Sequence, residues 1–519
     1  MPALDLRIGI DVGGTNTDAV LLDRDDRLLG RAKVPTTVDV TGGIRQALTA
    51  VLASAAAPVD RISHVMLGTT HATNAVLSRT HLHRVALLRL GAPATRSIPP
   101  FTAWPSDLRD AVRAGAEVVS GGTEFDGREL APLDRDGAAR FLESVAGHAE
   151  AVAVAGVFSP VNGGQEEAMR QLARDILGDE MPVSISSEVG SIGLIERENA
   201  TILNAALTGV ARDVATALEE SLRHHDIDAR MYFTQNDGTL MSLDYATRFP
   251  VLTIGSGPAN SLRGAAFLTG RSDAIVVDIG GTSSDLGVLT AGFPRETTTS
   301  SEVGGIRTNF RMPDLLSIAI GGGTVVRGGD DVELGPDSVG YRLTSEGLVF
   351  GGSTPTLTDA AVAGGRAEIG SQRPGGEHSA LLTAALAEVD RRLADAIDRM
   401  KIGRGDAPSV VVVGGGSVIV PETIAGVSEV VRPRNHDVAN AIGAAIATVS
   451  GRWEEIISDI GGRRQLLDQA RRRAEERAVE AGADPATLEI VEQVETPLAY
   501  LDRPAVRVVV RAAGPLALN

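Results

Sequence analysis

The chain has 519 residues, 43% of them hydrophobic, a formal net charge of −18 and no cysteine. That length allows roughly two to four domains with sizeable cores. The missing cysteines exclude disulfides, iron–sulfur ligation and thiol nucleophiles, and the acidic balance argues against nucleic-acid binding, since no basic stripe offsets it in the first 450 residues.

Leu6 to Val12 reads as a strand, followed by a glycine turn, a second strand from Asp18 to Asp23 and a third from Arg27 to Val34. The opening MPALDLRIGI turns polar too soon for a secretory signal. No run reaches the ~18 apolar residues of a membrane span, so no membrane contact and a cytoplasmic location are expected. Thr41 to Ala56 carries apolar residues at helical spacing. HVMLGTT (His64 to Thr70) is a strand entering a turn, and a helix starts over His71 to Ser78. RVALLRL, EAVAVAGVF and MPVSISS are further strands with helices between them. This order suits a mixed sheet covered by helices, and scarce aromatics beside abundant Ala, Val, Leu and Ile suit an α/β protein with buried parallel strands.

Glu188 to His225 is a long helical stretch, read as two helices. Met231 to Gln235 is a strand, and TIGSGPANSLRGAAFL is a glycine loop opening a helix. AIVVDIGGTSSDLGVL (Ala274 to Leu289) then repeats the opening pattern, with strands running to about Glu296. Glu302 to Ser353 is glycine-rich and irregular, Ser379 to Met400 is a helix, and SVVVVGGGSVIVP is a buried strand ending in three glycines. NHDVANAIGAAIATV is a small-residue helix. The expected units are 1–190, 191–450 and a small α+β appendage at 451–519, whose charged helix, Arg463 to Glu480, presents a solvated face.

The repeated stretch, D-x-G-G-T-x-T/S-D, carries the chemistry. Gly13 and Gly14 allow a tight turn whose bare N–H groups approach a ligand closely. Thr15 and Thr17 add hydroxyl donors, and the amides form a small nest for phosphate oxygens. Asp11 sits at the strand end, where it must act on phosphates through Mg2+ and its water shell. Asp278, Gly280, Gly281, Thr282, Ser283 and Asp285 offer the same groups in the same order. A plain turn would need only the glycines, and two facing turns can grip one polyphosphate. Gly414, Gly415 and Gly416 end a strand where a base or ribose can lie close to backbone, and Gly321, Gly322 and Gly323 offer a similar approach.

The histidines give weaker signals. His81 and His83, read as sharing one strand face, lack further metal ligands. His224 and His225 suit a helix end. His71 follows a strand exit that can line a cleft, and Asp437 after His436 suits a helix cap.

The two turns and the glycine-ended strand resemble the sugar kinase, heat-shock ATPase and actin superfamily. DVGGTNTD, LGTTHATNAVL (Leu67 to Leu77), ERENATILNAAL (Glu196 to Leu207), SGPANSLRGAA (Ser256 to Ala266) and DIGGTSSDL (Asp278 to Leu286) resemble the A-type subunit of the hydantoinase/oxoprolinase family, over roughly residues 6–450. The resemblance implies an α/β fold with two ribonuclease-H-like, actin-like ATPase lobes and a nucleotide cleft between them. It implies ATP and Mg2+ as cofactors and ring opening of a cyclic amide: a hydantoin, 5-oxoproline or a related lactam. Phosphorylating the amide oxygen would turn a poor electrophile into one that water attacks. Asp11 and Asp278 become the metal-water carboxylates. Gly13, Gly14, Thr15, Gly280, Gly281 and Thr282 become phosphate contacts, with Asn16, Thr17 and Ser283 completing the turns. Asp18, Asp285, Thr69, Thr70 and Asn74 fall near the reacting end. Long A-type subunits carry a further C-terminal domain where 451–519 stands here, and the family's hydrolases often need a B-type partner, so the resemblance implies a B-type or other partner subunit and a homo-oligomer. A small-molecule kinase and a non-enzymatic actin-like scaffold remain the alternatives.

Overall fold

The computed structural model describes residues 6–37, 40–55, 57–297, 301–328, 332–401, 407–457, 462–498 and 505–517. Ala56, the last residue of the first expected helix, and 329–331 of the glycine-rich stretch lie outside them.

The first lobe opens with β1 (Leu6–Val12), β2 (Asn16–Leu22) and β3 (Leu28–Pro35), an antiparallel meander. Apolar runs make β1 and β2 buried on both faces, and α1 (Val40–Ala55) turns Ile44, Ala47, Leu48 and Val51 onto them. β4 (Ile62–Thr69) then pairs parallel with β1, and α2 (His71–Ser78) leads away from its end. An inserted unit follows: β5 (Val85–Ala92), β6 (Arg113–Ser120), β7 (Ala151–Gly156) and β8 (Val183–Ile185), a parallel sheet in the order β6-β5-β7-β8. It is tied down by α3 (Leu194–His224), one helix of 31 residues over most of the stretch read as two. The motif residues of α3 work as buried struts. Glu198 grips Arg89 of β5 at 2.5 and 2.6 Å, and Asn199 accepts from the Trp104 indole at 2.8 Å. β9 (Arg230–Thr234) returns to pair parallel with β4, and β10 (Leu240–Ser242) pairs with β9.

The second lobe begins at α4 (Ser256–Thr269) and repeats the plan with β11 (Ala274–Ile279), β12 (Ser284–Thr290) and β13 (Phe293–Pro294), plus β14 (Leu315–Ile318) against β12. The covering α5 (Ser379–Met400) packs eight buried side chains into this lobe's core. β15 (Ser409–Val413) lies parallel to β11, β16 (Glu429–Val431) lies parallel to β15, and α6 (Ala439–Ala445) packs against α4. The strand order β3-β2-β1-β4-β9 in one sheet is matched by β13-β12-β11-β15-β16 in the other. That shared order of three antiparallel strands and two parallel ones is the two-lobed α/β plan expected from the sequence.

Two placements differ from the sequence reading. β9 and β10, expected in the second lobe, belong to the first sheet. Residues 449–514 extend that same sheet through β17 (Val449–Ile457), β18 (Glu489–Leu498) and β19 (Ala505–Gly514), in the order β18-β19-β17-β10. The cause is the open edge of β10, whose backbone groups need partners. β17 begins beside Leu240, and α7 (Arg463–Glu480) seals the extension by burying Ala470, Ala474 and Ala478 while its arginines face outward.

Candidate active site

Asp11 and Asp18 are opposite each other across β1 and β2, as are Asp278 and Asp285 across β11 and β12. Opposed residues of a sheet share a face, so each turn is backed by a pair of carboxylates. The hairpins close on themselves: Gly13 N donates to Asn16 O at 3.0 Å and Gly280 N to Ser283 O at 2.9 Å. Their tips meet, since a methyl group at Gly281 would lie 3.5 Å from the Thr15 side chain. Gly14, Gly280, Thr282 and Ser283 are exposed there, and Thr15 and Asn16 are half-buried.

Asp11 is almost wholly buried and accepts from two amides, Asn260 Nδ2 at 3.2 Å on Oδ1 and Asn440 Nδ2 at 2.9 Å on Oδ2. Burial pushes its pKa up to about 6, against the pull of those hydrogen bonds, and the neighbouring Asp18 charge adds to the rise. Asp278 also rises to about 6, chiefly through loss of water, while Ser261 Oγ donates to its Oδ2 at 2.5 Å and restrains the shift. The charge of Asp11 raises Asp278 as well, so the two carboxyls share one electrostatic environment. Asp18 pairs with Lys33 at 2.5 Å and accepts from Asn440 at 3.1 Å. Asp285 accepts the hydroxyl of Ser317, and burial pushes its pKa up.

Gly414, Gly415 and Gly416 end β15 against the second turn. Gly414 has φ +87°, and any Cβ there would strike Asp278 Oδ1 at 2.3 Å, so only glycine fits. Gly416 N donates to Ile279 O at 2.8 Å, whereas Gly415 is exposed with open space around it. Gly321 to Gly323 do different work from that expected. Gly322 N and Gly323 N donate to Gly280 O and Gly281 O at 3.0 and 2.7 Å, so this run braces the second turn from behind. Thr17 is fully buried and its hydroxyl faces that of Thr36 at 3.2 Å, which in turn donates to Gly13 O at 2.8 Å. Thr70 donates to Val12 O at 3.1 Å, which ties the end of β4 to the first turn, and exposed Asn74 donates to Thr70 Oγ1 at 3.3 Å.

Of the histidines, His436 lies beside the glycine-ended strand, its Nδ1 3.2 Å from Ser417 Oγ and 3.4 Å from Gly414 O. His71 contacts Thr69 Oγ1 at 2.6 Å and lines a small cavity with Val210, Val214 and Phe233, where burial lowers its pKa. His81 and His83 lie before β5, not on a strand, and His83 Nδ1 faces Thr208 at 3.2 Å. His224 ends α3 as expected. Asp437 pairs with Arg31 at 2.9 Å instead of capping a helix. Sequence reasoning passed over Asn260, Ser261, Asn440 and Lys33. The available signal was the Asn-Ser pair in SGPANSLRGAA and the lone Asn in ANAIGAA, polar residues inside stretches of mostly small ones.

The N-terminal region of the hydantoinase/oxoprolinase family matches residues 7–177, and the hydantoinase/oxoprolinase domain matches residues 197–398, together well over half of the chain. The chain belongs to the hydantoinase/oxoprolinase family. It is 28% identical over 387 residues to the acetophenone carboxylase gamma subunit of Aromatoleum aromaticum, covering 68% of this chain and 52% of that protein. It is 26% identical over 427 residues to caprolactamase subunit alpha of Pseudomonas jessenii, covering 76% of this chain and 60% of that protein. The chain thus spans little more than half the length of these curated relatives. The crystal structure of the ATP-dependent caprolactamase from Pseudomonas jessenii shares its fold, with a TM-score of 0.76 at 20% identity over 98% of this chain and 87% of that one. Among the described residues no helix is long and apolar enough to cross a membrane.

Proposed function

We propose that this family member binds Mg-ATP between the two turns and transfers the γ-phosphoryl group to the carbonyl oxygen of a cyclic amide, opening the ring. The observation that carries the reading is the meeting of two D-G-G-T turns, each backed by a buried or half-buried carboxylate pair. Turn amides and the hydroxyls of Thr15, Thr282 and Ser283 would hold phosphate oxygens. Among the described residues no group of three or more His, Asp or Glu side chains forms a metal cage. Magnesium fits such a place, because it keeps its waters and takes one or two carboxylates plus phosphates. Asp11 and Asp278 would hold it, and the ion would offset negative charge on the transferring phosphoryl. The open face at Gly415 would take the base or ribose.

O-phosphorylation of the amide makes an imidate phosphate. Water then adds at its carbon, the ring carbon–nitrogen bond breaks as a proton passes to nitrogen, and the acyl phosphate left behind loses inorganic phosphate to a second water, giving the open-chain carboxylate and amine. Relatives named for carboxylation as well as for a lactam favour a second reading, in which the accepting oxygen is that of a ketone. Both readings place a carbonyl oxygen opposite the γ-phosphate. A partner subunit is proposed too, because two of the relatives are named as subunits.

The test is ADP release by the purified chain with Mg-ATP, alone and with hydantoins, 5-oxoproline, caprolactam and small ketones, using Asp11→Asn as control. Ring-opened product appearing with ADP, and absent with the variant, supports the amide reading. A stable phosphorylated product shifts it to a kinase. No binding of Mg-ATP at all overturns the nucleotide site.

A further inference from the structure

Two neighbouring residues of α4 reach carboxylates on different lobes. Asn260 Nδ2 donates to Asp11 Oδ1 at 3.2 Å and to Thr234 Oγ1 at 3.0 Å, and Ser261 Oγ donates to Asp278 Oδ2 at 2.5 Å. Successive side chains leave a helix about 100° apart, so α4 lies in the fork between the two sheets and points one residue at each. Its place is fixed by α6. A Cβ at Gly443 would strike Asn260 O at 1.9 Å, so the two helix backbones touch. From that same helix Asn440 Nδ2 reaches Asp11 Oδ2 at 2.9 Å. Each oxygen of Asp11 therefore accepts an amide hydrogen from a different helix, which fixes the plane of the carboxylate.

Asn260 is fully buried, yet its Oδ1 has no partner. An unpaired buried acceptor is costly, and an apolar side chain would suit that interior better if packing were its only task. We propose that Asn260 and Ser261 are positioning residues that set the separation and aim of Asp11 and Asp278, so that both carboxylates address one metal–nucleotide together. The inference rests on the nucleotide reading above and gives the SGPAN segment a task in it.

The experiment uses the full chain, Mn2+ as a paramagnetic stand-in for Mg2+, and a non-hydrolysable ATP analogue. Bound Mn2+ is counted by electron paramagnetic resonance, and analogue affinity is measured separately in EDTA. Ser261→Ala is expected to weaken Mn2+ binding in the ternary complex roughly tenfold, the scale of a lost hydrogen bond to a charged group. Ser261→Thr, which keeps the hydroxyl, is expected to restore most of it, and affinity in EDTA is expected to stay unchanged. Asn260→Ala should act alike, and the double variant should lose less than the product of the single losses, because either break frees the pair. If Asn260→Ala fails to fold, Ser261→Ala and Ser261→Thr carry the test alone. Mn2+ binding by Ser261→Ala equal to that of the unaltered chain overturns the inference. So does a loss that threonine does not relieve and that follows the drop in Tm, which would mark a purely structural role. An unaltered chain that binds no metal–nucleotide overturns the nucleotide site itself, and this inference with it.

Discussion

The two turns have one sequence pattern and one topology, but different surroundings. In the first lobe the outer carboxylate, Asp18, has a lysine beside it and an amide from Asn440. In the second, Asp285 has a serine and no cation among its described partners. The inner carboxylates differ in the same direction. Asp11 is clamped by two amides, whereas Asp278 is restrained by one hydroxyl and a tight glycine contact at Gly414. Duplication explains the shared backbone. The differences arise because each site is finished by elements from elsewhere in the chain: α6 for the first turn, β14, β15 and the 321–323 brace for the second.

The sharpest way to break this comparison is to remove each inner carboxylate in turn. Asp11→Asn and Asp278→Asn are each expected to lower ATP turnover by about a thousandfold, the upper range for losing one preorganised group. If only one of them does so in a steady-state ADP assay, the turns do not share one metal–nucleotide.

A pH series without nucleotide tests the inner pair next. Both pKa values rise from 3.8 to about 6 on folding. The folded chain therefore binds more protons than the unfolded chain between about pH 4 and 6. The pair's contribution to stability is fully present below pH 4 and is lost as pH rises through 6, by roughly 3 kcal/mol per carboxyl. Urea unfolding at stepped pH checks this. Mg-ATP, which needs the ionised forms, is expected to protect most above pH 6, and a profile flat from 4 to 6 would contradict the proposed burial.

The outer pair should diverge in sign. Lys33→Met leaves Asp18 buried without its cation, at a cost of about 2 kcal/mol once the partial exposure of Lys33 is allowed for. Asp285→Asn removes a charge that burial already disfavours, so it is expected to be neutral or stabilising by up to about 1 kcal/mol at pH 7. Equal destabilisation by the two variants, read from urea midpoints, would show the lobes to be alike after all.

Much of this was legible in the sequence, for a physical reason. The strands flanking each turn are apolar runs buried on both faces, and α5 has the same ends, Ser379 and Met400, in sequence and structure. What stayed hidden was pairing at long range. β17 does not read as a buried strand, because Arg452, Glu454 and Glu455 interrupt it. In the fold Glu454 is neutralised by Arg452 and Arg507. β6 follows a short helix, Ser106–Val112, without a turn residue between Val112 and Arg113, so nothing local marks the change. Asn260 and Asn440 stood out only as polar residues in small-residue stretches, because periodicity reports which face is buried, not what the buried face touches.

Thr17 gives the smallest and most discriminating expectation. In sequence it is a turn hydroxyl equal to Thr15, and its counterpart in the second turn is Ser284, also fully buried. In the fold Thr17 faces Thr36, and Ser284 donates to Ile320 O. Both hydroxyls therefore hold the base of a hairpin while Thr15 and Thr282 stand at its tip. Thr17→Val is expected to cost under about 1 kcal/mol of stability, one modest hydrogen bond, with nucleotide affinity unchanged in a binding titration. Thr15→Val is expected to do the opposite, weakening the nucleotide severalfold with little change in Tm. A Thr17→Val chain that folds normally but loses nucleotide would place that hydroxyl back among the phosphate contacts and move the mouth of the first turn one residue deeper.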